Sequence, residues 1–150
     1  MISEDAARRI EAWVVEAVAG GAQLLAGGPR QGALVPPTLL AGVRDDMRVG
    51  CSEVFGPVMS ILPFRTLDQA IDRVNATPYG LATGIFTDRL PDALRAARML
   101  QVGGVHINET SSSRVDVMPY GGSRDSGFGR EGPRYAVHEM TEERVVSIAA

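Results

Sequence analysis

Cysteine is nearly missing from this 150-residue chain, where Cys51 stands alone. A single thiol excludes an internal disulfide and a cysteine zinc cluster, and it makes a reducing cytoplasm the expected location. Histidine is almost as scarce. His106 alternates with Val105 and Ile107, and His138 lies beside Glu139, so the two form no ligand cluster and no metal is expected. No apolar run approaches the roughly 20 residues of a membrane span. The first residues carry Glu4 and Asp5 in place of the basic start of a signal peptide. The net charge of -3 comes without the basic stripe that nucleic-acid binding needs. Neither a membrane nor a nucleic-acid partner is expected.

An apolar fraction of 45% suffices for a packed core, and the length suits one domain or a large piece of one. Ser3 is a good N-cap, with Glu4 and Asp5 where a helix dipole favours anions. Ile10, Trp13, Val14, Ala17 and Val18 then share one face until Gly20-Gly21 stops the helix. Ala22 to Leu25 reads as a short strand. Leu34 to Leu40 reads as an extended piece that Pro36-Pro37 should confine to an edge or a connection. Val58 to Leu62 is a strand, and Thr66 can cap a helix from Leu67 to Asn75. Leu81 to Phe86 is a strand, Pro91 opens a helix ending near Leu100, and Val105 to Asn108 is a strand. Connections of this length allow parallel crossovers, which predicts an α/β layer. The polar loop 109–116 would lie at the C-terminal end of a strand, where ligands collect in open α/β sheets. A short helix near Pro133 to Met140 and a terminal strand, Arg144 to Ile148, complete the order.

Some residues carry chemistry. Glu53 and Phe55 place a carboxylate two residues before a ring, ahead of Gly56-Pro57. Such a pair can accept hydrogen bonds from sugar hydroxyls while the ring lies against a flat heterocycle. It equally suits a turn with a solvated glutamate and a buried phenylalanine. Cys51 lacks an adjacent base, and Glu53 is its nearest charge, so it reads as an ordinary small residue and not as a nucleophile. Gly121, Gly122, Gly127, Gly129 and Gly132 crowd together where side chains would block the backbone path. Gly127 to Arg130 follows a charged turn and leads to Pro133, so it is no phosphate-binding fingerprint.

Glu53-Val54-Phe55-Gly56-Pro57-Val58, the N-x-x-x-Y-G-L pattern from Asn75, Pro119-Tyr120-Gly121-Gly122 and Ser126-Gly127-Phe128-Gly129-Arg130-Glu131 occur in this order. Together they resemble the C-terminal part of the NAD(P)-dependent aldehyde dehydrogenase superfamily. The resemblance implies an aldehyde dehydrogenase-like catalytic-domain fragment: α/β, three-layered, with a mainly parallel sheet. It implies a partial catalytic domain over 1–142 and a terminal oligomerisation strand over 143–150. By the same resemblance Glu53 holds the nicotinamide ribose and Phe55 borders the nicotinamide of NAD or NADP. Asn108, Arg114 and Tyr120 border a small aldehyde substrate, with Arg114 facing its anionic group. A surface pair of Arg114 with Asp116 is the alternative. Glu131 is a possible proton relay, or else a helix N-terminal residue that favours the dipole. Ser52 replaces a frequent second acid of the family, and Arg124 a frequent lysine.

In the resembled family the cysteine nucleophile lies further upstream of E-x-F-G-P than this chain extends. The general base, the oxyanion asparagine and the Rossmann portion also lie upstream. The parent activity expected is oxidation of a small aldehyde to a carboxylic acid, with the chain alone inactive. The alternatives are a truncated interaction or oligomerisation module, or one subunit of a split enzyme. A homo-oligomer or a separate N-terminal portion is the expected protein partner.

Overall fold

The computed structural model describes residues 1–149, and the chain divides into two compact units, Met1–Arg65 and Thr66 onward. The first unit begins with helix α1 (Glu4–Ala19). Ser3 caps it as its sequence suggests, its Oγ accepting from the Ala6 N–H at 3.1 Å. Strands β1 (Gln23–Ala26) and β2 (Thr38–Ala41), the single-turn helix α2 (Arg48–Cys51) and strand β3 (Val58–Ile61) follow. β1 runs antiparallel to β2, and β2 runs parallel to β3, with Thr38 opposite Val58 and Ala41 opposite Ile61.

The expectation for Leu34 to Leu40 needs correction. Pro36 and Pro37 do lie between elements, but Thr38–Ala41 is the central strand of the sheet and not an edge. Proline lacks only its own N–H, so the ladder starts at the first residue after the pair. The core of this unit gathers Ala17, Ala22, Leu40, Val43, Met47 and Val49, with Trp13, Val14 and Val54 packed against it.

The second unit contains α3 (Leu67–Ala76), β4 (Ala82–Ile85), α4 (Leu90–Met99), β5 (Gly104–Ile107) and α5 (Pro133–Met140). Thr66 Oγ1 accepts from the Gln69 N–H at 3.2 Å and caps α3. β4 and β5 pair in parallel across α4, from Ala82 opposite Gly104 to Ile85 opposite Ile107. The expected α/β class is therefore present, but a single run of crossovers from β3 through β5 is not. β3 takes β2 as its ladder partner, while β4 pairs with β5 in a separate sheet. Helix length shows that a crossover can close, but it does not show which strand receives it.

Glycine crowding has the expected cause. A Cβ on Gly121 would lie 2.6 Å from the Gly129 carbonyl oxygen, and one on Gly122 would lie 2.5 Å from Ser126 Cβ. Residues 141–149 adopt neither helix nor strand, so Arg144 to Ile148 forms no ladder among the described residues. A strand exists only with a partner, and here Val145, Val146 and Ile148 are exposed. No helix among the described residues is long and apolar enough to cross a membrane.

Leu40 is fully buried in the central strand. Leu40→Ala is expected to cost about 2–5 kcal/mol of stability through lost burial and the cavity left behind, measured by urea denaturation.

Candidate functional site

In the first unit the Glu53–Pro57 loop links α2 to β3. Phe55 has φ +52°, a left-handed conformation that costs an aromatic residue about 1–3 kcal/mol unless its surroundings hold it. Its ring is 78% exposed, and the Glu53 side chain is exposed as well. Phe55 is thus not the buried ring of an ordinary turn. Pro57 is tied down by its carbonyl, which accepts from the Thr38 N–H at 2.8 Å, and Val58 then enters β3. Cys51 ends α2 half-buried, with its Sγ 3.8 Å from Ser52 Oγ.

In the second unit three candidate residues meet. Arg114 Nη2 donates to Glu131 Oε2 at 2.9 Å, and its guanidinium stands 4.6 Å from the Tyr120 ring centroid. Tyr120 and Glu131 form an antiparallel bridge through both backbone N–H groups, at 3.1 and 2.6 Å. The bridge fixes the separation of ring and carboxylate, and Arg114 spans both. Arg114 therefore pairs with Glu131 and not with Asp116, and Glu131 directs its carboxylate to Arg114. α5 starts only at Pro133, with Gly132 in the capping position. A cleft of about 380 Å³ beside this cluster is lined by Tyr120, Gly121, Phe128, Arg130 and Glu131 among others.

Asn108 lies apart in role. It ends β5 at φ +55°, a conformation asparagine tolerates, and its Oδ1 accepts from the Thr87 N–H at 2.8 Å. Its amide oxygen thereby joins the turns that follow β4 and β5. Gly84 explains how close the next loop comes, because a Cβ there would lie 2.5 Å from the Glu109 carbonyl oxygen.

Sequence reasoning missed Arg124. This residue sits at φ +56° just after Ser123, and its side chain collects four carbonyl oxygens. Nη1 donates to Asn75 at 2.8 Å and Thr77 at 2.5 Å, while Nη2 donates to Tyr79 at 2.5 Å and Gln101 at 3.0 Å. Its Nε is buried without a hydrogen-bond partner among the described residues. Ser126 Oγ accepts from the Gly80 N–H at 3.0 Å, and the Ser123 N–H donates to the Gly80 carbonyl at 2.9 Å. Asn75 closes the frame from below, its Oδ1 accepting from the Gln101 N–H and its Nδ2 donating to the Met99 carbonyl. The Asn75–Leu81 and Pro119–Glu131 motifs, read separately in sequence, are fastened together here. The available signal was the position itself: Arg124 stands where the resembled family often has a lysine.

The sequence model of the aldehyde dehydrogenase family matches residues 1–146. The chain belongs to the aldehyde dehydrogenase family. It is 50% identical over 146 residues to the 3-sulfolactaldehyde dehydrogenase of Priestia megaterium, covering 97% of this chain and 31% of that protein. It superposes with a TM-score of 0.91 and 46% identity on aldehyde dehydrogenase 21 of Physcomitrella patens, crystallised with the reaction product succinate. That match covers 95% of this chain and 30% of the moss enzyme. The NADP-dependent glyceraldehyde-3-phosphate dehydrogenase of Bacillus halodurans, complexed with NADP, matches at TM-score 0.92 and 39% identity, covering 96% of this chain and 30% of that one. The chain thus spans about 30% of the length of these aldehyde dehydrogenases. Among the described residues no group of three or more histidine, cysteine, aspartate or glutamate side chains is placed to hold a metal ion.

Replacing Arg124 by alanine leaves up to four carbonyls short of a donor. The expected destabilisation is about 2–4 kcal/mol, from charge-assisted bonds each worth ~1.5–3 kcal/mol offset in part by solvation. Arg124→Lys, which keeps the charge but not the planar fork, should lose roughly half as much in the same denaturation experiment.

Proposed function

We propose that this chain is the C-terminal portion of the catalytic domain of an NAD(P)-dependent enzyme that oxidises a small aldehyde to a carboxylic acid. The observation that carries the reading is Phe55, an exposed ring held in a left-handed backbone conformation beside the exposed Glu53 carboxylate. An apolar ring left in water at that backbone cost suits a flat partner. The two residues fit a nicotinamide riboside: the carboxylate accepts from ribose hydroxyls and the ring lies along the heterocycle. When bound, NAD(P) accepts the hydride that leaves the substrate carbon. The chain's own task is to position, since both contacts lie on one short loop tied to β3.

For the substrate, Arg114 offers a planar donor fork on Tyr120, and Glu131 engages one of its nitrogens. A substrate carboxylate or sulfonate would take over donors that Glu131 now shares. The similar proteins, a 3-sulfolactaldehyde dehydrogenase and an aldehyde dehydrogenase holding the reaction product succinate, favour an anionic small aldehyde. Asn108 shapes the substrate wall through the turns it joins. Glu131 serves as the proton relay when Arg114 turns to substrate.

Acyl transfer needs a nucleophile, a base and an oxyanion site in mutual reach. We assign these to a further portion of the parent enzyme, and Cys51 takes no part. Residues 143–150 act as an oligomerisation strand that pairs outside this chain, a role favoured by the exposure of Val145, Val146 and Ile148. A homo-oligomer, or a split enzyme completed by a separate N-terminal portion, would supply that partner. A truncated interaction module would use the same strand without any chemistry.

Incubating the chain with NAD or NADP and small aldehydes should give no rise in absorbance at 340 nm, and clear NADH or NADPH formation would refute its inactivity alone. In a full-length parent enzyme, Arg114→Ala should raise KM for anionic aldehydes about 10–100-fold, as expected for a lost charge-assisted bond, and leave neutral aldehydes nearly unchanged. An Arg114→Ala enzyme whose KM is unchanged for both classes would reject the anion contact.

A further inference from the structure

We propose that Arg9 is a positioning residue for the Glu53–Phe55 contact, a role that rests on the nicotinamide-ribose reading of that loop. The residues on either side of Phe55 are each held by α1. Before it, the Val54 carbonyl accepts a hydrogen bond from Arg9 Nη2 at 2.8 Å. After it, Gly56 sits so close to α1 that a Cβ would run into Ile10 Cδ1, and Ile10 is fully buried. Adjacent helix residues, one polar and one apolar, thus grip the backbone on both flanks of the strained position. Arg9 is itself oriented. Its guanidinium lies 4.7 Å from the Trp13 ring centroid, one helical turn away on the same helix face, and Arg48 approaches that ring at 5.3 Å.

A phenylalanine at φ +52° persists only where the surroundings fix it. Gly56 permits the close approach, and its carbonyl accepts from the Val58 N–H at 2.7 Å within the loop, so Arg9 supplies a directional restraint from α1 itself. Without it, Val54 can rotate, Phe55 can return to negative φ, and both the ring and the Glu53 carboxylate change direction. Arg9 therefore acts on the nicotinamide through the loop and needs no contact with it.

The test uses the 150-residue chain and nicotinamide mononucleotide as the probe. Backbone couplings of Phe55 in NMR spectra report its φ, and titration shifts report affinity. Arg9→Ala should move Phe55 out of the left-handed region and weaken mononucleotide binding about tenfold, the scale of one lost hydrogen bond. Arg9→Lys, which keeps a charged donor, should restore most of both. The fluorescence of Trp13, the single tryptophan, checks that α1 stays folded. If Arg9→Ala unfolds, Arg9→Met, which keeps the apolar stem but has no N–H donor, carries the same two readouts. A Phe55 that keeps its positive φ in the variant would overturn the positioning role, as would an unchanged affinity after φ relaxes. A wild-type chain that takes up no mononucleotide, even as Arg9→Ala shifts Phe55, would instead overturn the Glu53–Phe55 reading and the proposal with it.

Discussion

The guanidinium of Arg124 is the contact on which the second unit depends. Its nitrogens collect carbonyl oxygens from the end of α3, from the turn before β4 and from the segment after α4. Those carbonyls end helices or occupy turns, where backbone groups lack ladder partners. One rigid planar cation satisfies them together, which a set of independent caps would do with less geometric precision. Ser123, Ser126 and Asn75 add their own bonds around it, so the Tyr120–Glu131 bridge inherits its place from this frame. The buried, unpartnered Nε measures how far geometry is arranged around the two terminal nitrogens.

Among the described residues three non-glycine residues adopt positive φ, and each stands where the fold is asked for something ordinary backbone does not give. Asn108 turns the chain at the end of β5 and joins two loops. Arg124 aims its side chain back into the layer. Phe55 does neither, since its side chain is mostly exposed to solvent. Strain at Asn108 and Arg124 is offset by hydrogen bonds that the strained residue itself makes. At Phe55 the restraint comes from its neighbours, Val54 and Gly56, and its side chain is left available. That asymmetry sets the Phe55 loop apart from the two structural turns.

Most elements were legible because they depend on near neighbours. The caps at Ser3 and Thr66, the apolar face around Ile10 and the Pro91 helix start are all local chemistry, and all appear where expected. What escaped depended on distant partners. The place of Thr38–Ala41 in the middle of a sheet, the separation of β3 from β4 and the four acceptors of Arg124 are set by residues 13 to 49 positions away. The single turn α2 has no periodicity long enough to read. Arg114 shows the same limit, since Asp116 is near in sequence whereas Glu131 is brought close only by its bridge to Tyr120.

That pairing also joins two roles which the sequence presents separately. In the proposed function an anion taken by Arg114 would draw on the same guanidinium that engages Glu131, so substrate recognition and the freedom of the Glu131 carboxylate would be one equilibrium. Both side chains are substantially exposed, so the pair is worth only about 0–1 kcal/mol and is readily exchanged. A stronger, buried pair would resist substrate, and no pair would leave the fork less well oriented. The Tyr120 face would keep the guanidinium in place if Glu131 left it. On the proposed reading, a weak, stacked ion pair is therefore suited to release the Glu131 carboxylate when an anionic substrate binds.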